Sequence, residues 1–153
     1  MKNFNLYFNK LLEFSKVCNV SVYLENGVSL KEKDSSIELG EFDPRGRVIS
    51  LNSKNPEPVQ IATFLHELGH FYDHMKDPKF SNSKKLNKAY SSYIREKPVT
   101  AEEKKKIIEC ERRAWFYGKV IAKILNIPLG KWYDKERSCG MGFYRSIPVK
   151  DSQ

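Results

Sequence analysis

Apolar and polar positions change period several times along the chain, and each change predicts an element. In "MKNFNLYFNKLLEFSK" the apolar residues Phe4, Tyr7, Phe8, Leu11, Leu12 and Phe14 recur at a helical spacing interrupted by Asn and Lys. "VSVYLE" then alternates, with Val20 as a lead-in and Ser21 to Glu25 as the strand, and stops at the turn pair Asn26-Gly27. Two further short runs, "SIELGEF" and "RVISLNS", flank "DPRG". There Asp43, Pro44 and Gly46 occupy positions that a type I turn favours, because proline presets φ and glycine relaxes the exit. The economical prediction is a β-hairpin over residues 37–52.

From Asn55 the period becomes helical again. In "NPEPVQIATFLHELGHFYDHM" Asn55 can cap, Pro56 and Pro58 suit the first turn of a helix but not its interior, and Glu57 favours the positive N-terminal end. This helix should run from about Pro58 to about His74. A polar, basic loop follows to about Lys85, then a short helix around Leu86 to Ile94. Pro98-Val99-Thr100 with Glu103 forms a capping box that opens a long helix ending before "NIPLG". The final "KWYDKERSCGMGFYRSIP" resists assignment. The order of strands and helices predicts an α+β fold, with a small, mostly antiparallel sheet packed on the 58–74 helix and a second long helix.

Composition narrows the class. A chain of 153 residues, 40% hydrophobic and 12% aromatic, suffices for one substantial core, so one domain over residues 1–153 is expected. Charged residues make up 30% and are well mixed with apolar ones, which excludes wholesale disorder. Cys18, Cys110 and Cys139 are odd in number and far apart, with no CxxC pair; a disulfide framework or thiolate zinc site is not expected, and a reducing compartment is. No stretch approaches a membrane span or a signal peptide, so a cytoplasmic protein is predicted. The net charge of +8 is concentrated between Met75 and Lys106, where ten basic residues face four acidic ones around Tyr90 and Tyr93. A solvated surface accounts for this more simply than a dedicated nucleic-acid footprint.

All three histidines fall within "TFLHELGHFYDH". His66 and His70 are four residues apart, so a helix sets them one turn apart on one face, able to direct two imidazole nitrogens at one ion. Glu67 lies roughly 100° around the helix from His66. In an H-E-x-x-H site this places its carboxylate beside the metal, where it can take a proton from bound water. Ile61, Phe64, Leu65, Leu68, Phe71, Tyr72 and Met75 form a broad apolar arc, with His66, His70 and Asp73 across from it. His74 is about 12 Å from His66 along the axis, too far to share the ion. Asp73 is placed to orient His70 by accepting its second N–H.

A catalytic zinc needs a third protein ligand and one open position. No histidine remains for it, so a carboxylate must serve. On the long helix Ile107, Ala114, Gly118, Ile121, Ala122 and Leu125 share a face, with Arg112, Lys119 and Lys123 toward solvent. Glu111 sits at the edge of that apolar face, and the small residues Ala114 and Gly118 would let the face approach another helix closely. Glu111 is the expected third ligand and Glu109, nearer the solvent side, the alternative.

With these residues in place the chain resembles the ImmA/IrrE family of zincin-like, gluzincin-type metallopeptidases of phages, mobile elements and bacterial stress regulators. The resemblance rests on "ATFLHELGH", a gap of roughly forty residues, and a helix with Glu111, Ala114, Tyr117 and Gly118 in the family's Glu–Ala–aromatic–small pattern. Many relatives have Glu directly before that Ala, where this chain has Arg113. The resemblance implies a zincin-like fold and one zinc ion at His66, His70 and a helix glutamate. It further implies Glu67 as catalytic acid/base and a protein substrate such as a DNA-binding repressor. An extended substrate could pair with an edge strand of the 37–52 hairpin, and Tyr133, Tyr144 or a nearby cation could stabilise the oxyanion. Two other readings compete with this one. One is a non-proteolytic regulatory or toxin-like module with a structural zinc and a basic partner-binding or nucleic-acid-binding surface; the other is a zinc hydrolase acting on small molecules.

Overall fold

The computed structural model describes residues 3–25 and 40–151. Along the chain it forms α1 (Phe4–Val17), β1 (Ser21–Glu25), β2 (Gly40–Asp43), β3 (Val48–Asn52), α2 (Glu57–Lys76), α3 (Pro78–Ser81), α4 (Lys84–Ile94), α5 (Ala101–Ile124) and α6 (Lys131–Arg145). The predicted turn at Asn26-Gly27 and the start of the predicted hairpin, before Gly40, lie outside the described residues.

β2 and β3 pair antiparallel, with Gly40 opposite Leu51 and Asp43 opposite Val48. In the loop between them Asp43 Oδ1 accepts from the Arg45 amide at 2.9 Å, and Arg47, at φ 51°, takes the left-handed position rather than Gly46. β1 joins on the other side of β3 and runs parallel to it, giving the order β1-β3-β2. The α+β class stands, but the sheet is mixed rather than mostly antiparallel. Ile49 and Leu51 point from the central strand into the core, where α2 covers the sheet. Phe42 of β2 meets Phe71 of α2 edge to face at 6.0 Å, and Phe8 of α1 lies 5.3 Å from Phe64.

α2 starts and ends close to its predicted limits, though Asn55 does not cap it. Pro56 is the capping residue and has no side-chain bond to offer, while the Gln60 amide reaches back to the carbonyls of Ser53 and Asn55 at 3.1 and 2.6 Å. From Ile61 to Gly69 every residue of α2 is buried. The face opposite the apolar arc is therefore not a surface: α5 packs against it. α5 opens as expected, with the Glu103 amide donating to Thr100 Oγ1 at 3.1 Å and the Thr100 amide donating to Glu103 Oε2 at 2.8 Å. Its buried residues Ile107, Glu111, Ala114, Gly118, Ile121 and Ala122 follow the helical period. A β-carbon on Gly118 would stand 2.8 Å from the Leu65 carbonyl oxygen, so the absence of a side chain there lets the two backbones meet.

The unassigned C-terminal segment forms α6. It buries Tyr133 and Met141, and the Tyr133 hydroxyl donates to the Trp115 carbonyl at 2.8 Å. A smaller apolar cluster of Ala89, Val99, Ile107 and Ile147 ties α4 and the start of α5 to the chain's end. Among the described residues no helix is long and apolar enough to cross a membrane.

Candidate metal centre

The contact between α2 and α5 brings three side chains from distant parts of the sequence together. One helical turn separates His66 and His70, whose Nε2 atoms lie 3.2 Å apart. Glu111 reaches across from α5 and sets Oε2 at 2.9 Å from His66 Nε2 and 3.5 Å from His70 Nε2. The side chains are 10%, 18% and 2% exposed, so only His70 has appreciable contact with solvent. Their ligand atoms all lie within 4.8 Å of one another. A tetrahedral ion with ligand distances of about 2.0–2.1 Å spaces its donors about 3.3 Å apart. The observed separations bracket that value, and two imidazoles with a carboxylate suit a divalent first-row metal. Two imidazole nitrogens facing each other can share only one proton, which is a further reason to read the group as a cation site.

The supports of the three donors differ. Tyr90, on α4, donates its hydroxyl to Glu111 Oε1 at 2.6 Å. The His66 ring packs on Trp115, centroids 4.3 Å apart and planes tilted 30°, while its buried Nδ1 has no hydrogen-bond partner among the described residues. His70 Nδ1 lies 3.9 Å from Cys110 Sγ. Asp73 does not orient His70 as expected: Arg113 of α5 takes both its oxygens, with Nε at 2.9 and 3.1 Å. The same guanidinium binds Asp77 at 3.1 Å and lies 4.1 Å over the Phe80 ring.

Electrostatics in the metal-free protein follow from this packing. Burial works to lower the His70 pKa, but the Glu111 carboxylate and Cys110 together outweigh it and hold the imidazole well above its ordinary value. Burial likewise works to raise Glu111, and His70 with His66 more than offsets it, leaving this carboxyl well below the usual range. Glu67 is the contrasting case. Burial raises its pKa, and the neighbouring imidazoles offset only part of the rise. The phenols of Tyr90 and Tyr144 are pushed up by burial first and by the nearby Glu111 charge second.

Of the residues singled out from the sequence, the fold brings together His66, His70 and Glu111, with Glu67 buried beside them. Glu109 stays outside, paired on the surface with Arg112 at 2.7 and 3.0 Å. His74 turns to Ser81, with Nδ1 3.0 Å from the hydroxyl. Tyr133 is committed to the Trp115 carbonyl, whereas Tyr144 lies against Tyr93 with ring centroids 5.9 Å apart. Sequence reasoning missed Cys110, Trp115 and the role of Tyr90. Trp115 carried a usable signal, standing one turn beyond Glu111 on the same face; Tyr90 carried none, because only the docking of α4 brings it to the site.

A family model described as the IrrE N-terminal-like domain matches residues 27–104, just over half of the chain; the match spans the H-E-x-x-H helix and ends before Glu111. No curated protein and no solved structure matches. The matched span holds two of the three converging donors, and the fold supplies the third from α5. The chain belongs to the peptidase family of IrrE N-terminal-like domains, Peptidase_M78.

Proposed function

We propose that this chain is a zinc-dependent metallopeptidase, a single cytoplasmic domain that cleaves a specific regulatory protein such as a DNA-binding repressor. The observation that carries the reading is the buried convergence of His66, His70 and Glu111 with Glu67 at the next position of the same helix. A structural metal site would have no use for that fourth group.

In this reading His66 Nε2, His70 Nε2 and a Glu111 oxygen would hold the ion. Zinc bound there would supply Lewis acidity, making water a stronger acid and polarising the scissile carbonyl. Glu67 accepts the water proton and passes it to the leaving amine. Its burial favours this work, because a carboxylate whose pKa burial has raised is a stronger base than an exposed one. Tyr144 is the tyrosine left to donate to the developing oxyanion, since the Tyr133 hydroxyl is already used; burial keeps the Tyr144 phenol protonated, as a donor must be. Among the described residues β2 pairs with β3, and in this reading an extended substrate strand would add along the other edge of β2.

The test compares zinc-loaded wild type with E67Q on a library of proteome-derived peptides. New amino termini should appear with the wild type and fall at least about 100-fold with E67Q, with zinc content unchanged. A wild type that generates no more termini than E67Q would overturn the peptidase reading in favour of a metal-stabilised binding module.

A further inference from the structure

We infer that Tyr90 is a positioning residue for the metal, its hydroxyl fixing Glu111 as a one-oxygen ligand. This rests on reading His66, His70 and Glu111 as the ligand set. A carboxylate can present one oxygen or two to an ion, and the choice decides how many positions remain for water and substrate. Here the two oxygens of Glu111 have separate tasks. Oε2 faces the imidazole nitrogens at 2.9 and 3.5 Å, while Oε1 accepts the Tyr90 hydroxyl at 2.6 Å. That length is typical of a hydroxyl donating to an ionised carboxylate, the strong class of hydrogen bond. With Oε1 held, the carboxylate cannot rotate to chelate with both oxygens.

The surroundings make the bond hard to replace. Glu111 is 2% exposed, so water has little access to Oε1 if the phenol hydroxyl is removed. Tyr90 itself is held by the docking of α4: Ala89, its neighbour in sequence, is fully buried in the cluster with Val99 and Ile107, and Leu86 is buried one turn earlier. Ser83 caps the same helix through the Leu86 amide at 3.2 Å. The chain between the two ligand-bearing helices thus delivers a polar group to the site. Outer partners of this kind are worth about 10–100-fold in metal affinity when removed.

The experiment uses the full chain as wild type, Y90F and E111A. Zinc affinity is measured by competition with a chromophoric chelator, and the visible absorption of the cobalt(II)-loaded proteins reports coordination number. Wild type should bind one equivalent and E111A should bind far more weakly. Y90F, which keeps the ring, should bind one equivalent about 10–100-fold more weakly, with weaker cobalt bands as Glu111 turns to offer both oxygens. Circular dichroism of the metal-free forms checks folding; should Y90F not fold, Y90L removes the same hydroxyl and carries the same expectation. Wild-type affinity and an unchanged cobalt spectrum in the folded variant would overturn the role of Tyr90 while leaving the ligand set standing. A wild type that binds no metal, or an E111A that binds as well as wild type, would overturn the ligand set and this inference with it.

Discussion

Gly69 of α2 and Ala114 of α5 meet through their backbones: a β-carbon on Gly69 would fall 1.9 Å from the Ala114 carbonyl oxygen. In an exposed helix, Gly→Ala normally stabilises by about 1 kcal/mol. Here the sign should reverse, because the opposing atoms are helix backbone and cannot move aside. Overpacking of this kind costs about 1–3 kcal/mol, and G69A should lie at or above the upper end. Separating the helices also draws Glu111 away from His66 and His70. Urea unfolding and a zinc titration on G69A check both effects, and a variant as stable as wild type with full zinc affinity would refute the close contact.

The two glutamates two residues apart on α5 should behave in opposite ways. Glu111 faces the imidazoles, whereas Glu109 is bound to Arg112 on the surface. H66A and E111A should each lose stoichiometric zinc at micromolar protein, and E109A should keep it. E109A should also change stability by no more than about 0.5 kcal/mol, as exposed ion pairs contribute little. Metal analysis after gel filtration decides the matter. Loss of zinc in E109A with retention in E111A would mean that α5 is turned about its axis from the orientation described.

Metal affinity should depend steeply on pH. In the metal-free protein the Glu111 carboxylate helps to hold the His70 pKa well above its ordinary value, so His70 keeps its proton to higher pH than a free imidazole. A ligand imidazole must be neutral, and binding therefore expels that proton. The apparent affinity should rise about tenfold per pH unit below the raised His70 pKa and level off above it. Stability of the metal-free form moves the other way. The His70–Glu111 contribution is complete below the unfolded histidine value of about 6.5 and is lost as pH rises through the folded value. The gain in Tm on adding zinc should accordingly grow with pH. Chelator competition across the neutral range gives the slope, and a flat profile would show that His70 is neutral before the metal arrives.

What could be read from the sequence divides by the range of the interaction that sets it. The spacing of His66, Glu67 and His70 is a property of one helix, and the Thr100–Glu103 capping box is a property of four residues; both are fixed locally. Glu111 was accessible because its position on a helical face follows from the period, although which helix it would meet did not. Alternation gave β1 as a strand but not its neighbour, and the parallel pairing with β3 depends on the path of the whole chain. α6 was obscured by Gly140 and Gly142, poor helix formers. A β-carbon on Gly140 would meet the Trp115 ring at 3.2 Å, so the residue that weakens the local signal also lets α6 lie against α5. Tyr90 read as an aromatic within a basic surface because its partner lies 21 residues away on another helix.

Asp73 separates structural support from metal binding. Its position on the wheel placed it beside His70, yet it is buried with both oxygens on Arg113, a side chain only one-fifth exposed. Removing one partner of such a pair leaves an uncompensated charge, which costs about 3–5 kcal/mol. R113A should lie near the lower end, since Arg113 retains some contact with water. It should also loosen α3, because Asp77 and Phe80 lose the same guanidinium. Zinc affinity of folded R113A should change less than threefold at temperatures well below its Tm, as no ligand loses a contact. D73N should do the same with a smaller stability loss, because a neutral amide replaces the buried charge. Chemical denaturation alongside chelator competition separates the two quantities. A tenfold loss of zinc affinity in folded D73N would mean that Asp73 reaches His70 after all, and that Arg113 holds it there.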